Sequence, residues 1–168
     1  HVLQQDTPTP ALAMINVWSV CVGDKYTDED VLILRDIVWR NLNEAHAFRC
    51  LSDRQIADVD CFIPPERWPG WWSKLLLFRY ATGQNLYLDL DVVVVGSLDR
   101  LLSRQLSLPA NWAQSGHGGC QSSVMSWDAN WDALHWLADE FDPKLLHAPA
   151  NGNCGAYGPL NLWGDQEY

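Results

Sequence analysis

Two aspartates, Asp89 and Asp91, stand one residue apart inside the apolar run of residues 86–95. On an extended strand, side chains at i and i+2 point to one side. Two like charges at the rim of a buried sheet are costly unless a proton, an arginine partner or a divalent cation neutralises them. Oxygen-only ligands favour a hard ion, Mg2+ or Mn2+. The competing reading is a pair of turn aspartates flanking a short strand, because Asp-x-Asp is a common pattern. A second feature is aromatic. The chain has 10 tryptophans, three of them clustered as Trp68, Trp71 and Trp72. Each offers a flat apolar face and one N–H donor, suited to filling a core or to stacking on a sugar or base.

The elements that must position these residues are legible in outline. Residues 13–22 read as a strand, with Val17, Val20 and Val22 β-branched and Gly23-Asp24 as a stop. Thr27 followed by Asp30 resembles a capping box with Asp in place of Glu. Val31, Leu34, Ile37, Val38 and Leu42 then recur at helical spacing until Asn41 and Asn43. Residues 45–51 read as a second strand, so the first fifty residues form a βαβ unit, the unit of a parallel sheet. Residues 73–80 are predicted helical, with Leu76, Leu77 and Tyr80 on one side. Residues 86–90 read as a buried strand whose apolar character continues through 92–95, and 97–106 as a short helix. Residues 114–119 are Gly-rich and aperiodic. Residues 124–127 read as a strand, and 130–141 as a helix with Trp131, Leu134, His135, Leu137 and Ala138 in its stripe. Residues 143–168 are loop-like. The pattern is α/β with a mixed, mostly parallel sheet flanked by helices. Residues 1–12 form an N-terminal arm and 13–168 one domain, with a native C-terminal segment expected beyond Tyr168.

Composition narrows the partners. At 168 residues, 48% apolar and 19% charged, the chain can bury a core and is not disordered. A formal net charge of −10 argues against a partner gripped through a phosphate backbone, and against a polybasic membrane anchor. It does not exclude a phosphate ligand held through a metal. The five cysteines are widely spaced and form no C-x-x-C pair, which speaks for reduced thiols and a cytoplasmic location. No apolar run suits a signal peptide or a membrane span.

Residues 87–94, Tyr-Leu-Asp-Leu-Asp-Val-Val-Val, with Gly96 and Leu98, resemble the Asp-x-Asp segment of GT-A-fold, nucleotide-sugar-dependent glycosyltransferases, family 8 above all. Residues 70–75 resemble the lysine- or arginine-bearing helix that precedes it. Residues 22–26 are similar to the tip of the first strand, 122–125 to the acceptor-side strand, and 164–167 to the Asp-Gln segment of the sugar pocket. Taken along the chain, the five segments follow one another in the family's order and span nearly the whole of it. The resemblance implies a Rossmann-like GT-A architecture and transfer of a sugar from a nucleoside diphosphate sugar, with uridine the expected nucleoside. Asp91 would ligate Mn2+ or Mg2+, and Asp89 would bind the metal or the ribose. Val22, Asp24, Tyr26 and Leu90 would line the nucleotide site, with Tyr26 stacked on the base and Asp24 accepting from its ring N–H. Lys74 would meet a phosphate or a sugar hydroxyl, where the bland alternative is a solvated helix lysine. Asp165 and Gln166 would bond the transferring sugar. The family's third metal ligand is a histidine after the Asp-Gln segment. His117 and His147 lie upstream and do not match it, so that ligand lies beyond Tyr168 or water completes the shell. The acceptor is a glycan or a small molecule; a DNA base fits the charge less well.

Two other functions compete. In a haloacid-dehalogenase-like phosphohydrolase, Asp89 would be the nucleophile and Asp91 the acid. Such proteins usually open the domain with this pair and carry a later acidic pair, whereas here the pair comes midway and Asp139-Glu140 falls in a helical stretch. A non-catalytic carbohydrate-binding module would use Trp68, Trp71 and Trp72.

Overall fold

The computed structural model describes residues 14–110, 120–130 and 132–141. The N-terminal arm, the Gly-rich stretch 114–119, Trp131, His117, His147, Asp165 and Gln166 lie outside the described residues.

Strand β1 (Ile15–Cys21) is buried along its whole length. It leads through a short loop into α1 (Asp28–Asn41). The capping box forms as the spacing predicts: Thr27 Oγ1 accepts from the Asp30 amide, and Asp30 Oδ2 accepts from the Thr27 amide at 2.7 Å. Asp28, Glu29 and Asp30 also place negative charge against the positive end of the helix dipole. Val31, Leu34 and Val38 are the buried face. Strand β2 (His46–Ser52) returns parallel to β1, which completes the βαβ unit.

The remaining elements depart further from expectation. A three-residue strand β3 (Asp60–Phe62) pairs parallel with β2 at the sheet edge. The helix predicted from residue 73 starts earlier, as a 3-10 segment (Gly70–Leu76), and only its end is the α-helix α2 (Leu77–Tyr80). Strand β4 (Gln84–Leu88) lies parallel to β1 on the side opposite β2. The apolar run does not continue as a strand: residues 92–95 have no strand partner among the described residues, and Val93 and Val95 are 82% and 95% exposed. Val92 and Val94 pack onto the core. The expected helix at 97–106 shrinks to a 3-10 turn (Asp99–Leu101). Strand β5 (Val124–Asp128) pairs antiparallel with β4, and α3 (Asp132–Glu140) follows.

The sheet order is β3-β2-β1-β4-β5. Alternating side chains feed two cores. Val17, Cys21, Leu86 and Leu88 meet Val31, Leu34 and Val38 of α1. Trp18, Val20 and Tyr87 meet Trp72, Leu76, Phe78 and Leu134 on the opposite face. The chain first steps from β1 to β2 and β3 on one side, then crosses back to place β4 on the other side of β1. Such a switch in strand order opens a crevice at the carboxyl ends of the two central strands. Among the described residues, no helix is long and apolar enough to cross a membrane.

Candidate active site

A cavity of about 170 Å³ occupies that crevice. Val20 and Val22 from the end of β1, Lys25 and Tyr26 from the following loop, Gly70 and Trp71 from the 3-10 segment, and Tyr87, Asp89 and Leu90 from the end of β4 line it. Gly23 turns the chain out of β1 at φ +69°, and Gly70 opens the 3-10 segment at φ +53°. Both angles fall in the left-handed region where a Cβ is strained. A second depression of about 230 Å³ adjoins the cavity, sharing Val22 and Gly70 with it.

Asp89 and Asp91 do not share a strand. Strand β4 ends at Leu88, and the Val92 amide donates to the Asp89 carbonyl at 3.2 Å, closing a tight turn through Leu90 and Asp91. Pairing of β1 with β4 runs out at Tyr87, so nothing on that side holds the chain extended. Alternation still applies up to Asp89, which falls on the face of Tyr87. There the Tyr87 hydroxyl donates to Asp89 Oδ1, and Lys74 Nζ donates to the same oxygen at 3.1 Å. The Asp89 amide is fixed by the Ser123 carbonyl at 2.9 Å. Asp91, carried off by the turn, reaches the β1–α1 loop. Its Oδ2 accepts from the Tyr26 hydroxyl at 2.7 Å and lies 3.5 Å from Lys25 Nζ. The Tyr26 hydrogen bond holds the Asp91 carboxyl below its usual range, Lys25 adds to this, and partial burial opposes it.

Each carboxylate is thus gripped on one oxygen by a tyrosine and a lysine. The other oxygen takes no hydrogen bond from another described residue. The cations are lysines, where arginine was the expected alternative to a metal.

Lys74 is not a solvated helix lysine. Its side chain is 3% exposed, it bonds Asp89 and also donates to Ser122 Oγ at 3.2 Å, and it sits 5.2 Å from the Tyr87 ring centre. It lies behind Asp89, whereas Tyr26, Val22 and Leu90 line the cavity itself. Asp24 is exposed in the loop and is not among the lining residues. The tryptophan cluster divides. Trp68 and Trp72 are buried against Phe141, at 4.5 and 5.0 Å between ring centres, which removes the three-tryptophan sugar platform. Trp71 alone of the three faces the cavity. Asp139 bonds Arg79 at 3.0 Å and is not part of the crevice, so the later acidic pair of a phosphohydrolase does not meet the Asp-x-Asp turn.

Sequence reasoning missed three participants. Tyr87 was detectable from alternation, two residues before Asp89 on the same face. Lys25 had no signal beyond proximity to Tyr26. Ser122 falls in the segment that resembles the acceptor-side strand, but nothing local ties it to Lys74.

No protein-family model matches the chain. No curated protein matches it in sequence. Solved structures do match. The glycosyltransferase GlyE of Streptococcus pneumoniae TIGR4 is 12% identical, with a TM-score of 0.55 over 76% of this chain and 37% of that one. The galactosyltransferase LgtC, in complex with donor and acceptor sugar analogs, is 15% identical, with a TM-score of 0.50 over 78% of this chain and 62% of that one. An active-site mutant of LgtC is 14% identical, with a TM-score of 0.52 over 78% and 61%. The chain spans less than two thirds of the length of each of these structures. At such identities the likeness is one of fold: the chain has the mixed, mostly parallel, GT-A-like α/β fold of these glycosyltransferases.

Proposed function

We propose that the crevice binds a nucleoside diphosphate sugar, with a uridine nucleotide the expected donor, and that the chain serves transfer of its sugar to a glycan or small-molecule acceptor. The observation that carries this reading is the acidic turn at the switch point. Two carboxylates are each anchored on one oxygen there, and one of them, Asp89, lines a cavity whose other walls are apolar or aromatic apart from Lys25.

Among the described residues, no group of three or more His, Cys, Asp or Glu stands close enough to hold a metal. The donors fit a hard divalent cation that keeps phosphate and water in its shell, as Mg2+ does, and not one caged by protein ligands. Asp89 and Asp91 are the residues that would hold it. Once bound, it would act as a Lewis acid toward the departing nucleoside diphosphate. The chain's own residues bind and orient. Tyr26 offers its ring to the base, Val22 and Leu90 give apolar walls, and Asp24 stands in the same loop. Lys74 and Tyr87 keep Asp89 aimed from behind, since anchoring ligand carboxylates is how a second layer tunes such sites. Asp165 and Gln166 are proposed to bond the transferring sugar.

Titration calorimetry with uridine diphosphate and Mn2+ tests this. Binding is expected in the wild type. It should be lost in Asp91→Asn while circular dichroism stays native, because Asp91 is exposed and its amide analogue removes charge without leaving a void. Absence of binding by any nucleoside diphosphate, with or without Mn2+ or Mg2+, overturns the reading.

A further inference from the structure

The loop that brings Lys25 and Tyr26 to Asp91 is itself gripped from the end of β2. Arg54 stands two residues beyond that strand. Its Nε donates to Asp28 Oδ1 at 2.9 Å, in the first turn of α1. Its Nη1 donates to the Gly23 carbonyl at 3.3 Å and to Asp53 Oδ1 at 3.1 Å. Its Nη2 donates to the Tyr26 carbonyl at 3.2 Å and approaches Cys21 Sγ at 3.5 Å. Asp53 completes the grip, its Oδ2 accepting from the Gly23 amide at 2.9 Å.

One guanidinium therefore touches the end of β1, both ends of the loop and the start of α1. The side chain is 37% exposed, so no single ion pair here contributes much. What counts is that a rigid planar fork meets acceptors in several directions at once, which an ammonium cannot do. Holding Gly23 and Tyr26 together removes backbone freedom from the segment between them, freedom that donor binding would otherwise have to remove. Arg54 does not line the cavity. Its route to a ligand runs through Tyr26 and Lys25, which do.

We propose that Arg54 is a positioning residue for the nucleotide donor: it sets the loop of residues 23–27 so that Tyr26 and Lys25 meet Asp91 and wall the crevice. The inference rests on the donor reading above. It concerns a residue that the Asp-x-Asp pattern does not point to and that never touches the donor.

The test has two arms, so that it can fail separately from that reading. Without ligand, amide hydrogen exchange is followed over residues 22–30 in wild type, Arg54→Lys and Arg54→Ala. Exchange there is expected to speed up about tenfold in Arg54→Lys, while β5 and α3 keep wild-type rates. With ligand, the dissociation constant for uridine diphosphate and Mn2+ is expected to rise about tenfold in Arg54→Lys. Adding Tyr26→Phe to Arg54→Lys should then cost little more, because the hydroxyl is already displaced, whereas Tyr26→Phe alone should weaken binding. A general loss of stability would instead give additive effects and faster exchange everywhere. Unchanged exchange at residues 22–30, or full additivity of the two substitutions, overturns the proposal. If the wild type binds no nucleotide, the donor reading falls and the exchange arm still decides what Arg54 does. If Arg54→Ala does not fold, Arg54→Lys carries both arms.

Discussion

Asp89 and Asp91 have the same kinds of partner, one tyrosine hydroxyl and one lysine ammonium each, but they sit in opposite surroundings. Around Asp89 the partners come from the core: Lys74 is 3% exposed and Asp89 itself 23%. Around Asp91 they come from a surface loop: Lys25 is 65% exposed and Asp91 59%. An ion pair withdrawn from water is expensive to break, because the charge left behind has lost its hydration. An exposed pair exchanges its partner for water or salt at small cost. The Asp89 side is therefore a fixed wall of the crevice, and the Asp91 side is the one that can adjust.

Substitutions can break or sharpen that contrast. Lys74→Met should be the most damaging, costing about 3 kcal/mol in chemical denaturation, since it strands a carboxylate at the edge of the core. A cost near zero would show that Asp89 is already satisfied without it. Tyr87→Phe keeps the ring in the core and deletes only the hydroxyl on Asp89; a loss of about 1 kcal/mol is expected. Lys25→Met should cost about 0.5 kcal/mol or less and become undetectable near 1 M salt, where screening reaches only a few ångströms. The Lys74→Met penalty should survive the same salt. Equal salt sensitivity of the two variants would erase the distinction between the two sides.

The first half of the fold was legible because its signals are local. Thr27 and Asp30 are three residues apart and cap α1 whatever surrounds them, and the stripe Val31, Leu34, Val38 follows from helical periodicity alone. The run of valines at 92–95 misled for the complementary reason. β-branched residues favour strands where a neighbouring strand exists to pair with, and among the described residues none does here. Strand β3 went unseen because three residues, Asp60, Cys61 and Phe62, carry too little pattern to stand out from a loop. The division of the tryptophans was equally hidden. Trp68 and Trp72 go inward because Phe141 arrives from beyond α3, a meeting that the Trp68–Trp72 segment itself does not announce.

By itself the sequence determined the opening βαβ unit, the capped helix, the alternation that sends Tyr87 and Asp89 to one face, and the place along the chain where acid follows an apolar strand. These depend on the repeat of the backbone, 2.0 or 3.6 residues, and on contacts within one turn. Only the tertiary structure decided which lysine and tyrosine hold which carboxylate. Tyr26 and Asp91 are 65 positions apart, and Lys74 and Asp89 lie on different elements. Their meeting follows from the switch in strand order about β1 and from the turn that takes Asp91 out of the sheet, and neither is a property of any short stretch of chain.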